Sequence, residues 1–258
     1  MSALPKTIQP SVRDRVSKEE WEMRVDLAAA YQLAHLYKWT DLIYTHFSGR
    51  VPGTEDFLIN PYGLMFDEIT ASNLVKIDWE GKVIEDPLGM GVNEAGFVIH
   101  SCVHKARPEV SCVIHTHTRA GVAVSAMKCG LLPISQHAMM VQADIAYHDY
   151  EGIALYLEEQ ERMARDLGQS RAMILRNHGL LALGKTVRDA FEVMYYLDCA
   201  CQIQIDACSA GLHNVQLMSE AAAKVSTQQF NRPNRPAGHK DWPALLRMLD
   251  RRGVRYAE

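Results

Sequence analysis

The distribution of apolar and polar residues predicts helices and short strands that alternate along the chain. Ser17 and Glu20 have the Ser-x-x-Glu spacing of a capping box, and apolar residues then recur at helical spacing to about Lys38. This pattern predicts a long helix with one apolar face. The next region is rich in β-branched residues and is interrupted by turns containing Pro and Gly, which predicts strands at 43–51, 56–60, 74–78 and 83–84.

The second half of the chain continues with helices and apolar strands. Asn93 and Thr186 are suited to cap helices that run to about residues 105 and 210. Apolar runs predict one strand at 112–118 and another at 172–175 that continues as extended chain. The remaining predictions are a buried extended piece at 131–134, helices at 119–127, 152–167 and 242–251, and one more helix early in the C-terminal region.

These elements predict the fold class and the domain organisation. Turns rather than long crossover segments join the early strands, so we expect one α/β domain with a mixed or antiparallel sheet. We place this domain at 17–212. An N-terminal arm at 1–16 precedes it, and a C-terminal helical extension at 213–258, which contains a Pro-rich link at 232–238, follows it.

Composition excludes several classes of protein. Hydrophobic residues make up 48% of the 258 positions, which is ample for a large core, and no apolar run is long enough to span a bilayer. The net charge of -4 gives no indication of a nucleic-acid surface. The N-terminus lacks the pattern of an export signal. We therefore expect a cytoplasmic protein without nucleic-acid or membrane partners, whose six cysteines are free, mostly buried thiols.

The segment at 112–118 carries the most specific chemistry. Side chains alternate along a strand, so His115 and His117 are expected on one face, where two imidazoles can bind one metal ion. His178 follows the strand at 172–175 directly and precedes a glycine, and strand ends of this kind often carry sites. Three histidines with open coordination positions suit zinc, iron, copper or nickel as a Lewis acid. The simpler alternative is a set of ordinary strand histidines.

Metal-assisted cleavage of a carbon–carbon bond also needs a group that moves a proton. Glu94, at the start of a helix after a Gly-rich loop, is the acidic candidate, although it can also simply favour the helix N-terminus. His100 and His104 are four residues apart and can chelate a metal, but packing near the strand is the simpler interpretation. Side chains in polar-aromatic segments that could shape a substrate pocket are His137, Tyr147 and His148.

Several segments resemble the class II aldolase/adducin family. They include Asn-Glu-Ala-Gly-Phe-Val-Ile-His at 93–100, His-Thr-His-Thr at 115–118 and Leu-Arg-Asn-His-Gly at 175–179. Further matching segments lie at 57–64, 69–72, 106–109 and 125–135. Over roughly residues 18–212 the chain is similar to this family, and to its adducin-like branch with bacterial members more than to the sugar-phosphate aldolases.

The resemblance implies a three-layer α/β/α fold around a mostly antiparallel sheet. It also implies a fourfold-symmetric homotetramer with active sites between subunits. His115, His117 and His178 match the family's metal ligands, so the resemblance implies one divalent metal ion, with Zn2+ expected and Fe2+ or Mn2+ as alternatives. In the sugar-phosphate enzymes of the family a carboxylate acts as the acid and base.

The chain departs from the sugar-phosphate enzymes at their acid and at their phosphate site. Alignment on His100 places the acidic position of those enzymes at Gly96 rather than Glu94. Hydroxyl donors suited to a phosphate are largely gone from the matching elements at 45–46, 62–63 and 92–93. We therefore expect a non-phosphorylated substrate. The candidate substrate-binding residues are His46, Asn60, Gly63, His137 and Tyr147.

Two classes of function remain open. The first is a metal-dependent lyase that cleaves or forms a carbon–carbon bond, by aldol chemistry or decarboxylation, in a small keto/hydroxy or aromatic acid through a metal-stabilised enolate. The second is a non-catalytic, adducin-like interaction module of the cytoskeletal kind. Adducins carry a basic Lys-rich region after this domain, and no basic run follows it here, which favours the lyase. An epimerase or an Fe(II) oxygenase on the same scaffold is a further alternative.

Overall fold

The structure is a computed structural model that describes residues 11–152, 157–230, 232 and 240–258, without the side chains of residues 94, 95, 157 and 158. Strands and helices alternate through most of this range. The strands are β1 His46–Arg50, β2 Phe57–Ile59, β3 Val75–Ile77, β4 Val83–Glu85, β5 Cys112–Thr116, β6 Ile145–His148, β7 Ala172–Leu175 and β8 Gly179–Gly184. The helices are α1 Val12–Arg15, α2 Lys18–Leu36, α3 Glu94–Ala106, α4 Arg119–Ser125, α5 Gln136–Val141, α6 Leu157–Leu167, α7 Val187–Cys208, α8 Glu220–Phe230 and α9 Asp241–Arg251.

The described strands form one sheet in the order β4-β3-β2-β1-β5-β8-β7-β6. Every neighbouring pair is antiparallel except β6 and β7, which run parallel. Helices cover both faces of this sheet. The prediction of a three-layer α/β/α fold with a mostly antiparallel sheet is therefore confirmed.

Alternation along β5 shows how the sheet divides the core into two layers. Cys112 and Ile114 pack with residues of α2 and α7 on one face, whereas Val113 packs with residues of α3 and α6 on the other. Phe47 and Leu180, in strands on either side of β5, are fully buried, and burying a side chain of this size stabilises the fold by about 1.5–3 kcal/mol. A strand buried on both faces is a rigid support for the side chains at its end.

The chain folds differently from the prediction at several points. The central strand ends at Thr116, one residue before His117, because the hydroxyl of Thr118 accepts a hydrogen bond from the Gly121 amide and begins α4. The pattern did not predict β6 or α5, and the piece predicted at 131–134 forms neither helix nor strand. The start of the helix predicted at 152–167, most of the Pro-rich link and most of the N-terminal arm lie outside the described residues.

The described part of the C-terminal extension packs against the main domain. The indole of Trp242 in α9 donates a hydrogen bond to Asp26 of α2 at 3.1 Å. The backbone amides of Ala71 and Ser72 donate to the carbonyls of Tyr256 and Glu258. This extension therefore shares the core of the domain.

Two expectations from composition can be compared with the structure. All six cysteines are free thiols, as predicted, although Cys129 is exposed and burial is complete only for some of the others. Burial raises the pKa of the Cys102 thiol to about 11, so this side chain is neutral. Among the described residues, no helix combines the length and the apolar character that a membrane span requires.

Candidate metal centre

The Nε2 atoms of His115 and His117 face each other at the end of β5. Nδ1 of His115 lies 3.0 Å from the carbonyl of Leu180, and Nδ1 of His117 lies 2.9 Å from a carboxylate oxygen of Asp41. Both partners accept hydrogen bonds only, so each Nδ1 carries the hydrogen and each Nε2 keeps its lone pair. The two Nε2 atoms are 3.0 Å apart, so the neutral rings present their lone pairs to the same point. Two lone pairs at this distance form a pair of donors for a cation.

His178 joins this pair from the turn between β7 and β8. Asn177 adopts a left-handed conformation with φ 55°, and the amide of His178 donates to the carbonyl of Leu175 at 3.1 Å, which closes the turn. A Cβ atom on Gly179 would lie 2.4 Å from the carbonyl oxygen of Thr116. Only glycine therefore allows this turn to approach the end of β5 so closely.

The three histidines form a cluster with the spacing of a metal centre. One candidate ligand atom from each of His115, His117 and His178 lies within 4.8 Å of the other two. The ring centroid of His178 is 4.8 Å from those of both other histidines. Three clustered imidazoles, two of which are held at the other ring nitrogen by a carbonyl or a carboxylate, are typical of a metal site with open positions.

Burial keeps two of these imidazoles in the form that binds a metal. Burial lowers the pKa of His178 to about 4 and the pKa of His115 well below its ordinary value, and the neighbouring histidines add charge repulsion. A metal ion binds only the neutral imidazole, so it does not have to displace a proton from either ring at neutral pH. The residues present therefore fit a divalent cation.

A cavity of about 380 Å³ opens in front of the three histidines. This volume suits a small molecule rather than a polymer. The residues that line it beside the histidines are Tyr44, Thr45, His46, Tyr62, Asn93, Ile99, Tyr150 and Gly152. Three tyrosines, an asparagine and a threonine give the wall several polar groups.

A chain of buried polar side chains runs from the cavity into the layer between β1 and α3. Nδ1 of His46 is 3.1 Å from Nε2 of His100, and Nδ1 of His100 is 2.6 Å from the hydroxyl of Ser48. The same hydroxyl is 2.8 Å from Nε2 of His104, whose Nδ1 is 3.3 Å from the carbonyl of Val110. Burial lowers the pKa values of His46 and His104 to about 3. We call these four side chains the histidine–serine relay.

The structure places the other predicted site residues in different surroundings. His46 lines the cavity. Asn60 is buried and accepts a hydrogen bond from the hydroxyl of Tyr31, and Gly63 lies in a turn with φ 115°, so neither belongs to the described cavity wall. His137 is exposed on α5 and packs near Tyr196.

Tyr147 and His148 of β6 also lie outside this cavity wall. The hydroxyl of Tyr147 accepts a hydrogen bond from the Leu131 amide, and the Arg176 guanidinium stacks on its ring. His148 donates from Nδ1 to Asp166 at 2.7 Å. Both side chains thus stabilise the edge of the sheet behind the turn that carries His178.

The carboxylate candidate, Glu94, is the first residue of α3, and its side chain lies outside the described part of the chain. Its neighbour Asn93 lines the cavity. At Gly96, the aligned acidic position, a Cβ atom would lie 2.3 Å from the ring of His46. The imidazole of His46 therefore occupies the space into which a side chain at position 96 would point.

Sequence reasoning missed Asp41 and the tyrosines of the cavity wall. Asp41 lies in the irregular segment between α2 and β1, where an isolated acidic residue carries no pattern. The positive φ values of Leu42 and Thr45 in this segment are equally invisible in the sequence. Tyr44 and Tyr62 come together only when the turns around β1 and β2 fold, and their ring centroids are then 6.5 Å apart.

Known proteins share both the sequence and the fold. A family profile described as Class II Aldolase and Adducin N-terminal domain matches residues 25–205. A crystal structure of an aldolase II superfamily protein from Pseudomonas syringae is 54% identical with a TM-score of 0.93, covering 96% of this chain and 99% of that one. L-fuculose 1-phosphate aldolase from Glaciozyma antarctica PI12 is 30% identical with a TM-score of 0.82, covering 93% of each chain.

A second kind of relative comes from animals. Alpha-adducin from Mus musculus is 43% identical over 255 residues, which cover 92% of this chain and 34% of that much longer protein. The region matched by the family profile contains the eight strands of the described residues and the three clustered histidines. The resemblance seen in the sequence motifs is confirmed, and the chain belongs to the class II aldolase and adducin N-terminal domain family.

Proposed function

We propose that the chain is a metal-dependent lyase of the class II aldolase type. It acts on a small, non-phosphorylated keto/hydroxy or aromatic acid, and cleaves or forms a carbon–carbon bond by aldol chemistry or decarboxylation. The observation that carries this proposal is the pair of Nε2 lone pairs of His115 and His117, 3.0 Å apart beside His178 at the mouth of a cavity. A divalent cation that binds both lone pairs would account for this arrangement.

Each residue of the centre has a defined part in this proposal. His115, His117 and His178 hold the metal, and the carbonyl of Leu180 and the carboxylate of Asp41 keep two of the rings in the binding tautomer. A divalent cation bound there supplies a Lewis acid that stabilises negative charge on a substrate oxygen as the bond breaks. Zinc is the expected metal, with iron(II) and manganese as alternatives.

The remaining groups of the cavity orient the substrate and move a proton. Tyr44, Tyr62 and Tyr150 present phenol rings to the cavity, which suits a small organic acid. Glu94 follows the lining residue Asn93 at the N-terminus of α3, and we assign it the proton transfer. The proposed assembly is a homotetramer with active sites between subunits, and light scattering tests the number of subunits.

The relatives support the reaction class. A protein 30% identical over 93% of this chain is named L-fuculose 1-phosphate aldolase, and its fold superposes closely. That name describes an aldol lyase acting on a phosphorylated sugar. The lining of the present cavity, with tyrosines, Asn93 and His46 and without a described arginine or lysine, supports an unphosphorylated substrate instead.

Elemental analysis of the purified protein tests the proposal. We expect about one equivalent of zinc, iron or manganese per chain in the wild type. The double variant His115→Ala/His178→Ala should lose the metal and keep its circular dichroism spectrum. His213→Ala, which removes an exposed histidine, is the matched control and should keep the metal. A wild-type protein that binds no metal after reconstitution contradicts the proposal.

A second candidate function rests on the relationship to adducins. Mouse alpha-adducin is 43% identical to this chain, more than the fuculose phosphate aldolase is. An adducin-like interaction module would keep the fold without a functional metal centre. Co-sedimentation with filamentous actin, combined with absence of metal, would favour this second function over the lyase.

A further inference from the structure

The hydroxyl of Thr45 is an unusual feature of the cavity wall. Thr45 has a φ of 67°, a region that β-branched residues rarely adopt because of steric strain. Its side chain is 2% exposed, and its Oγ1 has no hydrogen-bond partner among the described residues. A buried hydroxyl without a partner destabilises the fold, and the strained backbone adds to that cost. A ligand that forms a hydrogen bond with Oγ1 of Thr45 would offset these costs.

The histidine–serine relay fixes the hydrogen on the neighbouring His46. The carbonyl of Val110 can only accept, so Nδ1 of His104 donates to it and Nε2 of His104 accepts from Ser48. Ser48 has one hydrogen, which it has now donated, so its oxygen accepts from Nδ1 of His100. Nε2 of His100 then accepts from Nδ1 of His46. Nε2 of His46 is consequently left as a hydrogen-bond acceptor.

Gly96 keeps this acceptor in place. A Cβ atom at position 96 would lie 2.5 Å from Nε2 of His46, so any other residue would displace the ring. No described residue donates to this Nε2, and His46 belongs to the cavity wall together with Thr45. The ring of His46 stacks near that of the metal ligand His115, with centroids 5.5 Å apart. The acceptor and the Thr45 hydroxyl therefore lie beside the metal centre.

We propose that Thr45 and His46 form a subsite that binds a hydroxyl group of the substrate. A hydroxyl is the group that both donates to Nε2 of His46 and accepts from Oγ1 of Thr45. A phosphate offers only acceptor oxygens when ionised, and these oppose the lone pair of His46. This inference rests on the proposed function, since the metal centre would hold the other end of the molecule. It specifies the substrate class as a short hydroxy acid with a second, unphosphorylated hydroxyl.

A matched pair of acids tests the subsite by calorimetry on the zinc-loaded protein. D-glycerate and 3-phospho-D-glycerate share the α-hydroxy carboxylate and differ only in the terminal hydroxyl or phosphate. We expect D-glycerate to bind at least about tenfold more tightly, because an ionised phosphate cannot donate to Nε2 of His46 and leaves this acceptor unpaired. Equal or tighter binding of the phosphorylated acid overturns the proposal, and so does binding of neither acid to metal-loaded protein.

Three variants test whether Thr45 and His46 cause the preference for D-glycerate over 3-phospho-D-glycerate. His46→Asn presents an amide that can donate, and should reduce the preference for D-glycerate at least about tenfold. Thr45→Val keeps the shape but removes the hydroxyl, and should weaken D-glycerate binding. His213→Asn, on the surface, should bind both acids as the wild type does. An unchanged preference in folded His46→Asn overturns the assignment.

Neutron diffraction from deuterium-exchanged crystals tests the tautomer without metal or substrate. The relay requires deuterium on Nδ1 of His46 and none on Nε2. Deuterium on Nε2 overturns the hydroxyl subsite even where the metal centre is intact. Absence of metal from the same wild-type preparations contradicts the proposed lyase instead, so the two failures are distinguishable.

Discussion

The carboxylate of Asp41 accepts a hydrogen bond of 2.9 Å from Nδ1 of His117. Asp41 comes from the irregular segment before β1, whereas His117 follows β5, so the contact connects parts of the chain that are 76 positions apart. Its effect is to fix which nitrogen of His117 faces the other two histidines. This one hydrogen bond thus keeps Nε2 of His117 available as a metal ligand.

Replacing Asp41 should weaken metal binding without unfolding the protein. Removing the partner of a ligating histidine typically lowers metal affinity about 10–100-fold, because the ring then populates the wrong tautomer and orientation. We expect that loss for Asp41→Ala, measured by competition with a chromogenic zinc chelator. Glu55→Ala removes an exposed carboxylate elsewhere and should bind zinc as the wild type does. Equal affinities in the two variants would show that Asp41 does not support the centre.

Substitution of Gly179 should damage both stability and the metal centre. A methyl group there would lie 2.4 Å from the carbonyl of Thr116, which is backbone and cannot rotate away. We expect Gly179→Ala to lower the free energy of unfolding by about 1–3 kcal/mol in urea titrations and to reduce bound metal.

The matched control for this substitution is Gly53→Ala. Gly53 has φ 78° but open space around it, so alanine there tests backbone strain alone. Gly53→Ala should lower the free energy of unfolding by less than Gly179→Ala does, and should leave the metal content unchanged. A fully metallated Gly179→Ala protein would contradict the role we assign to the close approach.

The relay should make stability depend on pH in the acid range. Burial lowers the pKa of His104 to about 3, whereas a histidine in the unfolded chain titrates near about 6.5. Above that value both states are neutral at this residue. As the pH falls from about 6.5 towards 3, the unfolded chain binds a proton that the folded protein excludes. The free energy of unfolding therefore decreases by up to about 1.4 kcal/mol per pH unit for this histidine.

His104→Gln measures that contribution. Glutamine places an acceptor or donor near the same position but does not titrate, so the slope of unfolding free energy against pH between 6 and 5 should decrease. His35→Gln, at an exposed position, should keep the wild-type slope. Urea titrations at several pH values give both slopes. A steeper dependence in His104→Gln would exclude the neutral buried state that the structure indicates.

Glu94 should be needed for catalysis and not for metal binding. We expect Glu94→Gln to keep one equivalent of metal and to slow proton transfer by about 10²–10⁴-fold, the usual contribution of a positioned acid or base. Exchange of the methyl hydrogens of pyruvate in D2O, followed by NMR, measures that step without the natural substrate. Glu19→Gln, an exposed substitution on α2, is the control. Unchanged exchange in Glu94→Gln would transfer the role to another group.

Local pattern was sufficient to predict the three central histidines. His115 and His117 are two positions apart after β-branched residues, and His178 stands between an apolar strand and a glycine, so each was visible without the fold. The prediction extended the strand to 118, although it ends at Thr116, because the pattern cannot show that Thr118 begins a helix. The rings of His115, His117 and His178 nevertheless lie close together, although His117 is outside the strand.

The supporting residues depend on tertiary contacts and were not predictable in the same way. Asp41 acquires its function only by meeting His117 across the fold. The strand β6 forms because it pairs in parallel with β7, and its own four residues carry too little pattern to show this. The spacing of His100 and His104 predicts that they lie on the same side of a helix, but their partner Ser48 comes from a strand.

The histidine–serine relay also has a consequence for how this protein can evolve. Among the described residues, each member of the relay is the single hydrogen-bond partner of one atom of a neighbouring member. A mutation of any one member therefore leaves a buried group unpaired, at a cost of about 1–3 kcal/mol. Lineages that change one of these positions should therefore change others with it. We expect positions 46, 48, 100 and 104 to covary among homologues as one inherited unit.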